Sequence, residues 1–276
     1  MTTNRDAVLS FAKVEGAGND FILVDGGDQS VPWTADLIRR LCDRRRGIGA
    51  DGVLYLHPPE GDLHLVDYWN ADGGPAEFCG NGARCVTVYL LGGREGKARF
   101  RLGDVPVLGR CGRDGTPAVG IQAPDGGQID PAAVGASLGA PSGDVERAAA
   151  VRAGVPHLVL LAGEGLFAQP AQRWGPPLRF FGAEPSGVNV DLLKKAGGGW
   201  RLRTYERGVE GETLACGSGI LAAAWALVEG WGLADLPVTI TPTGGDPLRV
   251  TAEPGGWFLE GPARIVYRGE VRWRDV

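Results

Sequence analysis

Two runs of this chain are apolar on every helical face, Ala83 to Leu91 and Ile220 to Val228. A helix without a polar side is one enclosed by protein, so the pattern predicts two buried helices. Each opens on the same local sequence, FCGNGARCV from Phe78 and ACGSGILAA from Ala215, in which a cysteine directly precedes Gly-x-Gly. Around them lie short strands broken by glycine. FAKVEGAGNDFILVD (Phe11 to Asp25) reads as strand, glycine turn and strand, with Asn19 at the turn. A helix is predicted from Thr34, a good N-cap, through LIRRLCDRR, with Leu37, Ile38 and Leu41 at helical spacing. GIGADG (Gly47 to Gly52) ends it, VLYLH and DLHLVDYW follow as strands, and the polar loop NADGGPAE leads to Cys79. Alternating runs from Ala98 to about Gln122 read as more strands, APDGGQID (Ala123 to Asp130) as a link, and the tail ARIVYRGEVRW as a returning strand pair.

The separation of Cys79 and Cys216, 137 residues, brings other segments into register. GAGNDFILV from Gly16 falls on AGVPHLVLL from Ala153, so that Asp20 meets His157 and Phe21 meets Leu158; Gly52 falls on Asn189, and Asp62 to Asn70 on Gly199 to Arg207. Several matches at one spacing argue for an internal duplication with a period far longer than a solenoid repeat. The expected fold is α/β (α+β) with two pseudo-symmetric lobes, each a curved mixed sheet around a buried central helix, and an active site in the cleft between them. Residues 1–124 form the first lobe and carry Cys79, residues 125–263 form the second and carry Cys216, and the tail 264–276 returns to the first.

Composition narrows the function. With 276 residues, 43% of them hydrophobic, the chain can build two real cores. A net charge of −5 gives no electrostatic footprint for nucleic acid or an anionic membrane. The start MTTNRDAVLS has no apolar h-region and Ile220 to Val228 is too short to span a bilayer, so a cytoplasmic protein with reduced thiols is expected. Cys42, Cys85 and Cys111 read as core packing, and His57 and His64 as structural or surface residues.

Cys79 and Cys216 differ because each stands at a helix N-terminus, where free N–H groups and the macrodipole favour negative charge and lower a thiol pKa. Two such thiols suit a reaction in which one face of a carbon loses a proton and the other gains one, as in inversion of an amino-acid α-carbon. One sulfur acts as base and the other as acid. The amides of Gly80, Asn81, Gly217 and Ser218 are candidates to hold the substrate carboxylate. None of the four lysines (Lys13, Lys97, Lys194, Lys195) lies in a motif suited to a pyridoxal Schiff base, so no cofactor is expected.

Through GAGNDF, RRGIGADG, NADGGPAEFCGNGARC, GVNV, YERGVEGETLACGSG and GPARIVY the chain resembles the diaminopimelate epimerase family over nearly its whole length. That resemblance implies cofactor-independent interconversion of L,L- and meso-diaminopimelate, for lysine and peptidoglycan synthesis. It casts Cys79 as proton donor and Cys216 as acceptor, the roles exchanging with direction. Asn19, Asn70, Asn189, Glu206, Arg207, Gly80, Asn81, Gly217 and Ser218 match substrate-contacting positions. His157 and Glu206 match residues that tune the cysteines, and Tyr267 matches a tyrosine at the interface of a homodimer. Two positions depart from the family pattern: Val155 replaces an asparagine that contacts the substrate's distal end, and Gly52 stands where some members carry glutamine. A racemase of another amino acid, such as histidine, and a catalytically silent amino-acid binding protein are the alternative readings; a thiol redox protein is disfavoured because the cysteines are not adjacent in sequence.

Overall fold

The computed structural model describes residues 8–26, 31–76, 78–139, 143–182, 184–254, 256–273 and 276. Glu77, the last residue of the polar loop read before Cys79, lies outside them. The elements in chain order begin with β1 (Val8–Gly16), β2 (Asn19–Asp25), α1 (Ala35–Cys42), β3 (Gly52–Leu56), β4 (Leu63–Asn70), α2 (Gly80–Leu91), β5 (Gly96–Leu102), β6 (Val105–Cys111) and β7 (Pro117–Ile121). There follow β8 (Asp125–Ile129), α3 (Pro131–Leu138), β9 (Val145–Ala153), β10 (Val155–Ala162), α4 (Glu164–Phe167), α5 (Ala171–Leu178), β11 (Asn189–Ala196) and β12 (Gly199–Glu206). The last are β13 (Gly211–Thr213), α6 (Gly217–Trp225), β14 (Val238–Pro242), β15 (Leu248–Glu253), β16 (Gly256–Glu260) and β17 (Arg264–Arg272). It is a mixed α/β fold in which strands dominate.

The chain divides into two compact units, Met1–Val119 with Pro262–Val276, and Gly120–Gly261. In the first, β17 lies antiparallel to β1, β1 to β2, β2 runs parallel to β3, β3 antiparallel to β4, β4 parallel to β5 and β5 antiparallel to β6. In the second, β8 lies antiparallel to β9, β9 to β10, β10 runs parallel to β11, β11 antiparallel to β12, β12 parallel to β14 and β14 antiparallel to β15. The same succession therefore occurs twice. α1 makes the first parallel crossover of one unit, α4 and α5 that of the other, and α2 and α6 make the second. The sheet register corrects the sequence alignment by one residue. Phe21 faces Gly52 across the first parallel pair and His157 faces Asn189 across the second, so His157 occupies the place of Phe21 rather than of Asp20. A one-residue slip along a strand exchanges the two faces of the sheet.

Local chemistry sets the boundaries. The β1–β2 turn is two residues, Ala17 and Gly18, both with positive φ (55° and 86°), as the tight hairpin turn requires. Thr34 Oγ1 accepts from Leu37 N and starts α1, but the helix ends at Cys42, short of the DRR expected to continue it. The reason is Asp43, whose carboxylate accepts from the backbone N–H of Arg45 and Arg46 (2.7 and 2.8 Å) and turns the chain. Asp125–Ile129, read as part of a link, is a strand because it completes the ladder on β9. The tail is one strand rather than a pair.

α2 is buried from Gly80 to Val88 and touches β1, β2, β5, β6 and β17. α6 touches β9, β10, β11, β12, β14 and β15, then continues as a π-helical turn, Ala226–Gly230. Helices apolar all round are thus packed by strands of their own unit on several sides. Separate cores lie around Ile38, Leu41 and Val53 in the first unit and around Trp174, Leu160 and Leu192 in the second. Cys42 is part of the first, and burial pushes its thiol up to about 12; burial pushes Cys85 and Cys111 up as well, so these three are inert packing groups. Among the described residues no helix is long and apolar enough to cross a membrane.

Candidate active site

The chemistry-bearing residues form one group in each unit. In the first, Cys79 is the N-cap of α2, and its Sγ accepts from Gly82 N at 3.3 Å. The thiol lies 3.6 Å from Asn19 Oδ1. Asn19 opens β2 and is held from behind: its Nδ2 donates to Asp51 Oδ2 (2.7 Å), which also accepts from Asp20 N (3.2 Å). With Nδ2 committed to the carboxylate, the amide oxygen is the end turned to the sulfur. Arg44 bridges Asp51 Oδ1 and the Asp20 carboxylate at 2.6 Å each, and Lys13 pairs with Asp20 at 2.6 Å. Burial raises the Asp20 pKa, but Arg44 and Lys13 outweigh it and hold the carboxyl at about 2. Its stabilising share is therefore present above the ordinary carboxylate range and lost only as pH falls through about 2.

Asn70 ends β4, exposed, with its Oδ1 accepting from Tyr68 Oη at 2.9 Å. A Cβ on Gly52 would lie 2.5 Å from the Trp69 carbonyl oxygen and 2.8 Å from the Tyr68 ring. Glycine here is a packing requirement: Tyr68 occupies the space a side chain at 52 would take. Gly80 and Asn81 form the first turn of α2, and the Asn81 side chain accepts from the buried Arg84 at 2.9 Å.

In the second unit Cys216 precedes α6, 6% exposed, with Ser218 Oγ 3.4 Å from its sulfur. The expectation of a lowered thiol pKa does not hold for it. Burial pushes it well above its ordinary value, the Glu206 and Asp191 carboxylates add to the shift, and the Ser218 hydroxyl and Gly219 amide only partly oppose it. Glu206 ends β12 and accepts from Thr213 Oγ1 at 2.9 Å. Replacing Glu206 with glutamine removes a negative charge facing the sulfur, so it lowers the thiol pKa. At pH 8, iodoacetamide modification of Cys216 is expected to be faster in Glu206→Gln than in the parent, read by mass spectrometry of the Cys216 peptide; an equal or slower rate would exclude that coupling.

Asn189 opens β11, accepts from Arg207 N through Oδ1 (2.7 Å) and turns Nδ2 to His157 Nε2 at 3.4 Å. The Arg207 guanidinium donates to Ser186 Oγ at 2.9 Å. His157 and Asp191 are fully buried, 2.6 Å apart through Nδ1 and Oδ2, and Thr204 donates to the other Asp191 oxygen at 2.6 Å. Gly217 is buried and Ser218 half-buried at the start of α6, and Val155 is the partly exposed first residue of β10. Tyr267 is 46% exposed on β17, opposite Lys13 of β1, with its ring edge-on to Phe11.

Sequence reading missed Asp51, Arg44, Asp191 and Thr204. Asp51 was hidden in the turn motif GIGADG. Asp191 had a signal that went unused, a lone acid within the apolar strand VNVDLL.

The family model described as diaminopimelate epimerase matches residues 11–104. A diaminopimelate epimerase of Gemmatimonas aurantiaca is 38% identical over 282 aligned residues covering 95% of this chain and 99% of the relative. One of Methanocella arvoryzae is 36% identical, covering 95% and 96%. Among solved structures, a protein of Pseudomonas aeruginosa described as a predicted epimerase superposes with a TM-score of 0.70 at 16% identity, over 96% of this chain and 99% of that one, a likeness of fold. By identity sustained along almost its entire length, the chain belongs to the diaminopimelate epimerase family and is an isomerase.

Proposed function

We propose that the protein interconverts L,L- and meso-2,6-diaminopimelate by a two-thiol mechanism without a cofactor, in the cytoplasm, supplying lysine and peptidoglycan synthesis. The observation that carries the mechanism is a cysteine at the head of each of the two buried helices. One sulfur takes the α-proton as thiolate and the other gives a proton to the opposite face as thiol, so both must reach one carbon from its two sides. Cys79 serves as proton donor and Cys216 as acceptor in one direction, and the roles exchange in the other. The carbanion needs donors aimed at the substrate carboxylate, for which the first-turn amides Gly80, Asn81, Gly217 and Ser218 serve. Asn19, Asn70, Asn189, Glu206 and Arg207 hold the rest of the substrate, and the exposed Tyr267 face of β17 is the surface for a homodimer.

The deciding experiment places the reduced protein in D₂O with L,L-diaminopimelate, follows α-proton loss by NMR and determines stereochemistry by chiral chromatography. Exchange with inversion is the expected result; silence with every amino acid tried would leave a binding protein. Val155 favours one second reading, a racemase of another amino acid, because a hydrocarbon side chain cannot bond a polar distal end. Val155→Asn is expected to tighten diaminopimelate binding by on the order of 1 kcal/mol, about fivefold in Kd. Unchanged or weaker binding by calorimetry, with turnover of L-histidine or another amino acid, would move the substrate while keeping the mechanism.

A further inference from the structure

We propose that Asp191 is a positioning residue for this reaction: through its bond to Nδ1 it holds His157 as a neutral imidazole, protonated on Nδ1, with a bare Nε2 turned to Asn189. The inference deepens the function proposed above and rests on it.

The direction of every bond in the chain is fixed from its far end. The Arg207 backbone N–H is only a donor, so the Asn189 atom 2.7 Å from it is the amide oxygen. The other end of that amide is then NH₂, and it faces His157 Nε2 at 3.4 Å. A nitrogen facing a donor carries no proton, so the imidazole proton is on Nδ1, where Asp191 Oδ2 accepts it at 2.6 Å. Thr204 occupies the remaining Asp191 oxygen at 2.6 Å. If the proton moved to Nε2, Asn189 would have to turn over, and the Arg207 N–H would lose its acceptor. Asp191 thereby orients Asn189 and the Arg207 backbone, two of the positions assigned to substrate.

The duplicated frame builds the same place once without an acid. By sheet register, Phe21 occupies the place of His157 and Leu54 the place of Asp191. In the first unit those two apolar side chains lie 3.6 and 3.5 Å from where a Cβ on Gly82 would stand, against the first turn of α2. In the second unit, Asp191 Oδ1 and Thr204 Oγ1 lie 2.6 and 3.1 Å from the matching point on Gly219 of α6. Burying a carboxylate is costly, and where the same frame works with leucine its presence marks a use. The groups facing this corner are His157 from β10, Asn189 and Asp191 from β11, Thr204 and Glu206 from β12, and Cys216 and Ser218 at the head of α6.

The test is long-range ¹H–¹⁵N NMR of ¹⁵N-histidine protein. The chain has three histidines, and His57→Gln and His64→Gln variants assign the His157 signals by elimination. The wild-type protein is expected to show a protonated Nδ1 and a bare Nε2. Asp191→Asn is expected to move the proton to Nε2 or mix the tautomers and to lower kcat/KM by about tenfold or more. The alkaline limb of its pH–rate profile should move to lower pH, because one negative charge facing Cys216 is gone. Thr204→Val leaves the carboxylate–imidazole bond in place and should keep the wild-type tautomer. A wild-type His157 protonated on Nε2 overturns the proposal whether or not Asp191→Asn folds, as does a folded Asp191→Asn with the parent's tautomer and pH profile. Absence of turnover by the wild-type protein on every amino acid would instead sink the functional reading, since the tautomer is read without substrate.

Discussion

Cys79→Ser and Cys216→Ser are each expected to lower diaminopimelate turnover by about 10²–10⁴-fold, the usual contribution of a positioned acid or base, in both directions. Serine is a poor acid and a poor base near neutral pH, so neither variant can complete a cycle that needs both. Loss of fold would not explain the result. Serine is a better N-cap than cysteine, and at position 79 it can take over the bond from Gly82 N. At position 216 its hydroxyl has Ser218 Oγ as a ready partner. Each variant keeps one working thiol, so each should still exchange the α-proton of one stereoisomer in D₂O, and the two variants should differ in which isomer that is. Near-parental turnover in either variant, measured with an unchanged melting curve, would end the two-thiol account.

Gly219→Ala is expected to destabilise the protein by about 1–3 kcal/mol, the range for overpacked cores, and to depress activity with it. The new methyl would stand 2.6 Å from Asp191 Oδ1, an atom tied by Thr204 and fully buried, so it cannot move without disturbing the imidazole. Gly82→Ala provides the internal control. There the methyl meets Leu54, Cys79 and Phe21 at 3.5 to 3.6 Å, ordinary contact, and replacing a helical glycine with alanine gains about 0.5–1 kcal/mol. Thermal unfolding of the two variants side by side should therefore give shifts of opposite sign or, at the least, a lower melting temperature for Gly219→Ala alone. Equal shifts would mean that the corner behind α6 is looser than these distances imply.

Much of this was legible in the residues. A cysteine, Gly-x-Gly and an apolar run, occurring twice, announced both helices and both thiols, because a helix enclosed by strands has no polar face to show. Individual strands were legible too, since parallel pairs buried on both sides read as apolar runs such as FILV and LVLL, but their order was not. What sequence could not supply was register. The spacing of the two cysteines sets His157 against Asp20, and only the pairing of Phe21 with Gly52 and His157 with Asn189 puts it on the face packed against the helix. Nor was the state of Cys216 legible. A helix N-terminus favours a thiolate, but burial with two carboxylates nearby, one of them the unnoticed Asp191, is the stronger influence. Nor could the sequence show why glycine stands at 52, where Tyr68 fills the space a side chain would take.

The pairing of β17 with β1 also sets a timetable for synthesis. Val8 lies opposite Arg272, and residues 120 to 261, which belong to the other unit, are translated before that partner strand. At 5–20 residues per second, translating those residues takes on the order of ten seconds. Throughout that interval the outer edge of β1 lacks its neighbour and offers a row of unpaired backbone groups to any strand that meets it. The unit that holds β1 is thus completed only once β17 has been made.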